Sequence, residues 1–267
     1  MKEKKKRTKK IFERYIPFTS DYGFKATFGN ESDTRFLCLA LQALIKSLIP
    51  IVGIQFIKNT AEGETIYGRG GIYDIACTDA NGDIFIIEMQ VAEFLAFLQR
   101  MKFYGSQRIL PFIKQGVEFK FEGLPKIYVI GIVDTQIYDD DRYYRCGRIR
   151  DETGTDMDDR ADYIIIELGK FTKKTKDCIS NLDKLLYTMK EAHNIKKDES
   201  IPTFMGEDWL GWALHELDTK NMSVRDYTEL QIAVAREYTR RHRHEQVAAA
   251  AEARGEAGSK KAKQEAR

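Results

Sequence analysis

Ile72-Tyr73-Asp74-Ile75-Ala76-Cys77-Thr78-Asp79-Ala80-Asn81-Gly82-Asp83-Ile84-Phe85-Ile86-Ile87-Glu88-Met89-Gln90 reads as two strands around a tight turn. The runs Ile72–Thr78 and Ile84–Gln90 are rich in β-branched and aromatic residues, and Asn81-Gly82 between them is a strong short-range hairpin signal. Polar side chains interrupt both strands: Asp74 in the first, Glu88 and Gln90 at the end of the second. Such groups are costly in apolar strands unless they are paired or bind a metal. Two carboxylates on one sheet face make a hard-oxygen site suited to Mg²⁺ or Mn²⁺. A metal held there can activate water and neutralise charge on a scissile phosphate.

Register decides whether the two acids meet. A two-residue Asn-Gly turn pairs Ala80 with Asp83, hence Ile75 with Glu88, and puts Asp74 on the opposite face. A three-residue loop, Ala80-Asn81-Gly82 with Gly82 left-handed, pairs Asp79 with Asp83 and so Asp74 with Glu88. Both loops are physically acceptable, and a one-residue slip exchanges the faces. The metal-site reading requires the second. Spacing alone also allows a simpler reading, in which acids near strand ends are merely solvated.

Upstream, residues 11–30 form an entry segment with Pro17, Ser20-Asp21 and the apolar Phe24 and Phe28. Asp21 either adds a third acid to the site or caps the first helix. A long amphipathic helix is expected from near Ser32-Asp33 through Leu37, Leu41, Leu44 and Leu48. Ile51–Ile57 reads as a strand, and the glycines of Ala61–Gly71 impose a loop. Downstream, apolar spacing is helical from Ala92 to about Ile109. Lys126–Val133 is the nearly unbroken apolar strand expected at the middle of a buried sheet. Asp134–Asp162 is acidic and loop-like, Tyr163–Leu168 is a second buried strand, and helical patterns occupy about 173–193 and 207–243.

This order gives an α/β sandwich with a mixed sheet of four or five strands and additional C-terminal helices. The expected division is a basic arm at 1–10, a main domain at 11–200, a helical extension at 201–245 and an Ala-rich disordered tail at 246–267. No G-x-G-x-x-G or Walker A pattern follows a strand, so nothing supports nucleotide binding.

The 43% hydrophobic and 31% charged content suits a globular chain rather than a disordered one. No apolar run approaches the roughly 20 residues of a membrane span, and no secretory signal is apparent. Cys38, Cys77, Cys146 and Cys178 lack paired spacing, as suits reduced thiols in a cytoplasm. Residues 1–10 carry seven Lys/Arg and one Glu, a local +6 within a net +2, which leaves −4 for the remainder. Such an arm is compatible with phosphate-backbone binding, and equally with a solubilising terminus.

Other candidates are fewer. Arg100, Tyr104 and Arg108 share a helix face, as either a phosphate-contacting stripe or a core edge. The acidic loops at Asp139–Asp141 and Asp151–Asp159 lack the positions of an EF-hand. His242 and His244 diverge on a helix, and no Ser/His/Asp or Cys/His arrangement is present.

The strand–hairpin–helix context of Asp74…Glu88-x-Gln90 resembles the PD-(D/E)XK nuclease superfamily, and within it the Rpn-type recombination-promoting nucleases or putative transposases. The supporting segments are Phe18-Thr19-Ser20-Asp21-Tyr22-Gly23-Phe24-Lys25, Phe28-Gly29, Tyr73-Asp74-Ile75, Ile87-Glu88-Met89-Gln90, Arg100 and Tyr104, Ile166-Glu167-Leu168 and Lys170-Phe171. Together they span about residues 11–190. The resemblance implies a restriction-endonuclease-like αβββαβ core, Mg²⁺ or Mn²⁺, and hydrolysis of DNA phosphodiesters in recombination or mobile-element activity. It implies Asp74, Glu88 and the Met89 backbone carbonyl as metal ligands. Gln90 stands in the place of the superfamily's lysine, and a neutral amide cannot carry that charge. Lys25 or Arg100 is a candidate source of the missing cation, and Asp21 and Tyr104 are accessory candidates. The alternative is a catalytically silent DNA-binding or assembly protein that keeps the fold. The implied partner is DNA, with no membrane, and the chain is compatible with a homodimer without specifying one.

Overall fold

The computed structural model describes residues 14–57, 75–90, 97–110, 123–134 and 136–223, with 225, 227, 228, 230–232 and 235. Asp74, the basic arm and the Ala-rich tail lie outside them. Backbone contacts divide the chain into two units, Met1–Asn221 and Met222–Arg267. Among the described residues of the second, the Tyr227 amide closes a helical turn onto the Ser223 carbonyl at 3.0 Å.

In the first unit the order is α1 (Asp21–Phe28), α2 (Arg35–Leu44), β1 (Gln55–Phe56), β2 (Ile75–Thr78), β3 (Ile84–Gln90), α3 (Phe97–Ile109), β4 (Ile127–Val133), β5 (Tyr144–Arg150), β6 (Asp156–Glu167), α4 (Asn181–Glu191) and α5 (Asp208–Leu217). The described strands form one six-stranded mixed sheet in the order β1-β2-β3-β4-β6-β5. β3, β4 and β6 run parallel, while β1, β2 and β5 are antiparallel to their neighbours. This is the α/β, restriction-endonuclease-like architecture that the sequence predicts, with β4 central. β4 is central because both of its faces are apolar. Ile127, Val129 and Val133 pack toward α3, whereas Ile130 and Ile132 face the other side.

On one face α3 lays Phe97, Met101 and Tyr104 against Ala76, Ile84, Ile86, Val129 and Ile165. On the other face lies α2, where the Tyr144 hydroxyl donates to the Leu44 carbonyl at 3.1 Å. α2 packs against α1, α4 and α5. An aromatic cluster joins these helices: Phe24 stacks on Phe28, Phe28 meets Phe36 edge-on, and Phe36 lies 6.0 Å from both Trp209 and Trp212.

Four expectations need correction. The long helix ends at Leu44 rather than Leu48, because Lys46 turns left-handed (φ 54°) and Ser47 Oγ accepts from the Ile49 amide, leaving Leu48 97% exposed. The Ile51–Ile57 strand contracts to Gln55–Phe56. The acidic stretch 134–162 is not a loop throughout, since β5 and the first half of β6 form a hairpin there. That hairpin is tied by ion pairs, Arg148 to Asp162 and Arg150 to Asp156, rather than by apolar alternation. The sheet therefore has six strands rather than four or five.

Candidate active site

The β2–β3 hairpin takes the three-residue loop. Ile75 pairs with Ile87 and Thr78 with Ile84, and the Asp79 amide donates to the Asp83 carbonyl at 3.1 Å. Gly82 has φ +83°, the left-handed conformation this loop demands and glycine adopts without strain. The pin is Asp79, which is buried. Its Oδ1 accepts from the Asn81 and Asp83 amides, each at 3.0 Å, and its Oδ2 accepts from Asn81 Nδ2 at 3.2 Å. An aspartate at the entry to a turn stabilises it in this way. The loop chemistry thus sets the parity of the hairpin.

On β3 the residues Ile84, Ile86 and Glu88 alternate onto the face covered by α3. Glu88 is only 6% exposed. Arg100 reaches it from α3, donating from Nη2 to Oε1 at 3.0 Å. What seats α3 here is Gly131, the β4 residue paired with Glu88. A Cβ at Gly131 would lie 2.3 Å from the Phe97 ring and 3.2 Å from Met101 Sδ, so only glycine lets the helix approach. The Phe97 ring centroid lies 5.9 Å from the Arg100 guanidinium carbon. Tyr104 is buried in the same core cluster, and burial lowers the pKa of Arg108. Along the Arg100–Tyr104–Arg108 stripe, Arg100 thus reaches Glu88 while Tyr104 lies in the core.

Gln90 closes β3 and pairs with Val133, which pairs in turn with Glu167 on β6. Glu167 is a second buried carboxylate at the carboxyl end of the parallel strands, 1% exposed. Its Oε1 accepts from the Ile137 amide at 2.6 Å and the Tyr138 amide at 3.2 Å, with Lys170 Nζ at 2.9 Å and Arg145 Nε 3.7 Å from Oε2. Burial pushes its pKa up, but those donors together outweigh it and hold the acid below the usual glutamate value. The sequence around Glu167 carries little sign of what this acid does. Its donors lie about 30 residues earlier, and only Lys170 at i+3 gives a local sign of them.

At the N-terminus of α1, Ser20 rather than Asp21 is the cap, its Oγ accepting from the Gly23 amide at 3.0 Å. Asp21 sits in the first turn and pairs with Lys25 at 2.8 Å, both side chains exposed. The structure thus brings Glu88 together with Arg100, and Asp21 with Lys25. Asp74 and the Gln90 side chain lie outside the described residues. Among the described residues no three His, Cys, Asp or Glu side chains converge as a metal cluster. All four cysteines are unbridged, and burial pushes the Cys77 thiol up to about 12, which keeps it neutral. No helix of the described residues is long and apolar enough to cross a membrane.

A single buried glutamate at a strand end offers the hard oxygen donor that divalent ions take. The described donor set therefore fits one ligand of such an ion. Neither a curated protein nor a solved structure matches the chain. The family described as PD-(D/E)XK nuclease family transposase matches residues 18–241. Nucleases of this kind generally use divalent metals. With that match over most of its length and the mixed sheet that carries Glu88, the chain belongs to the PD-(D/E)XK nuclease family transposases.

Proposed function

We propose that the chain is a metal-dependent DNA endonuclease, acting in recombination or mobile-element activity, with Asp74, Glu88 and Gln90 at its centre. The observation that carries this reading is the odd register of the β2–β3 hairpin. Were that register to continue one residue beyond Ile75–Ile87, Asp74 would stand across from Glu88, and the period-two rule would put Gln90 on the same side. In this arrangement Asp74, Glu88 and the Met89 carbonyl would hold Mg²⁺ or Mn²⁺. When bound, the ion supplies an activated water and neutralises phosphate charge. Gln90 would orient water or the phosphate through its amide, without the charge of a lysine. Arg100 supplies the positive charge that the strand lacks, and its guanidinium can meet two phosphate oxygens at once. Asp21, Lys25 and Tyr104 remain accessory candidates, the first two paired with each other and the third in the core under α3.

The test is plasmid nicking with Mg²⁺, with Mn²⁺ and with chelator. Cleavage should require the ion, fall by at least about 100-fold in Asp74→Ala and Glu88→Gln, in line with what an acid–base or metal-activated water contributes, and survive in Gln90→Lys. Undiminished cleavage by Asp74→Ala would overturn the assignment. A parent that binds DNA with no cleavage under any ion would leave the silent binding protein as the function.

A further inference from the structure

We propose that Arg100 is an exchangeable counter-cation: it neutralises Glu88 while no metal is bound, and leaves for a substrate phosphate when a divalent ion takes the carboxylate. This rests on the metal site proposed above and adds its regulation. It makes metal and DNA bind cooperatively, through one side chain on which both the carboxylate and a substrate phosphate call.

Three features carry the inference. The Glu88 carboxylate is held under α3, where an unneutralised charge would be strongly disfavoured. Arg100 answers that charge at 3.0 Å, donating from Nη2 to Glu88 Oε1. A guanidinium and a divalent ion on one carboxylate repel one another, so occupancy by one disfavours the other. The pair is also asymmetric: the Glu88 side chain is 8% exposed and the Arg100 side chain 38%. The glutamate is enclosed, while the arginine, although its Nε is buried, keeps more than a third of its side chain open to solvent. The helix itself does not need to shift, because Phe97 and Met101 lock it against Gly131. The Phe97 ring provides a second, weaker cradle for the cation beside the acid.

Without DNA, Arg100 is therefore a competitor that weakens metal binding. With DNA present, a phosphate accepts the guanidinium and frees Glu88, so each ligand strengthens the other by the same factor. The consequence is a site that fills with metal chiefly when there is something to cut.

Calorimetric titration with Mg²⁺ alone, beside thermal melts with and without Mg²⁺, separates the outcomes. Arg100→Gln should bind Mg²⁺ more tightly than the parent by on the order of fivefold or more, the lower end of ordinary coupling. It should melt lower than the parent without metal and gain more from Mg²⁺. Arg100→Lys, which keeps the charge, should stay near the parent. A short phosphorothioate duplex should tighten Mg²⁺ binding in the parent and in Arg100→Lys, and have little effect in Arg100→Gln. Glu88→Gln should lose Mg²⁺ binding; if it does not, the underlying site reading fails. If Glu88→Gln loses binding while Arg100→Gln matches or falls below the parent, the exchange fails alone. Should Arg100→Gln not fold, absence of duplex-induced tightening in the parent overturns the exchange by itself.

Discussion

Two buried glutamates stand at the carboxyl end of the parallel strands on the same sheet face, and they are held in opposite ways. Glu167 on β6 is gripped by two backbone amides of the segment after β4 and by Lys170, with Arg145 behind it. Amides cannot leave, so this carboxylate is committed to anchoring a loop. Glu88 on β3 is met by a guanidinium at the end of a long side chain that is more than a third exposed. Burial alone therefore does not separate the two acids. On the proposed exchange, what separates them is whether the partner that neutralises the acid is able to go elsewhere.

The largest expected effect tests that contrast directly. Glu167→Ala strands a buried ammonium and two amides, and should cost about 3–5 kcal/mol in urea unfolding. Glu88→Gln keeps an acceptor for Arg100 and should cost about 1 kcal/mol in the metal-free protein. Equal losses in the two would erase the distinction. Gly131→Ala sharpens it from the helix side. A methyl driven into Phe97 should cost about 1–3 kcal/mol as overpacking does, and should disturb Arg100 while leaving the amide contacts at Glu167 intact. Hydrogen exchange at Ile137 and Tyr138 against that at the start of α3 would tell these regions apart.

Asp79→Ala acts on the hairpin. Loss of an acceptor serving two amides should cost about 1–2 kcal/mol and lower cleavage further, because the two-residue turn then competes for the register. The smallest effect is in acid. The folded pKa of Glu167 lies below its ordinary, unfolded value. Its contribution is complete above that value and is lost as pH falls through the folded pKa. Glu167→Gln should therefore lose less stability than the parent on acidification below about pH 4, read as the slope of unfolding midpoints against pH.

Much of this was legible in the chain, for identifiable reasons. β3 and β4 announce themselves through unbroken β-branched runs, and Asn81-Gly82 limited the hairpin to two registers. Choosing between the registers needed the side chain of Asp79, whose grip on the loop is a three-dimensional fact. β5 escaped because its stability comes from arginines facing aspartates across the hairpin, a pattern that in one dimension looks like a solvated loop. The end of α2 escaped because Leu48 continues the apolar spacing while Lys46 breaks the backbone beneath it. Arg100 was a visible candidate, since it falls on the helix face that follows the hairpin. Glu167 was visible as a residue but not as an anchor, since its amide donors come from a distant segment.

The charged hairpin has a consequence for how the protein behaves in bulk. β5 is an outer strand of the described sheet, and an open strand can template the addition of another chain and start a growing fibre. Here its register shifts between Gly147 and Ile149 and again between Ile149 and Arg150, which bends the hydrogen-bonding row out of line. Arg145, Arg148 and Arg150 place three cations along seven residues. An identical strand arriving in register would confront like charge with like charge on a surface too kinked to pair. The same ladder that hides β5 from a reading of the sequence thus keeps crowded copies of the chain from zipping together.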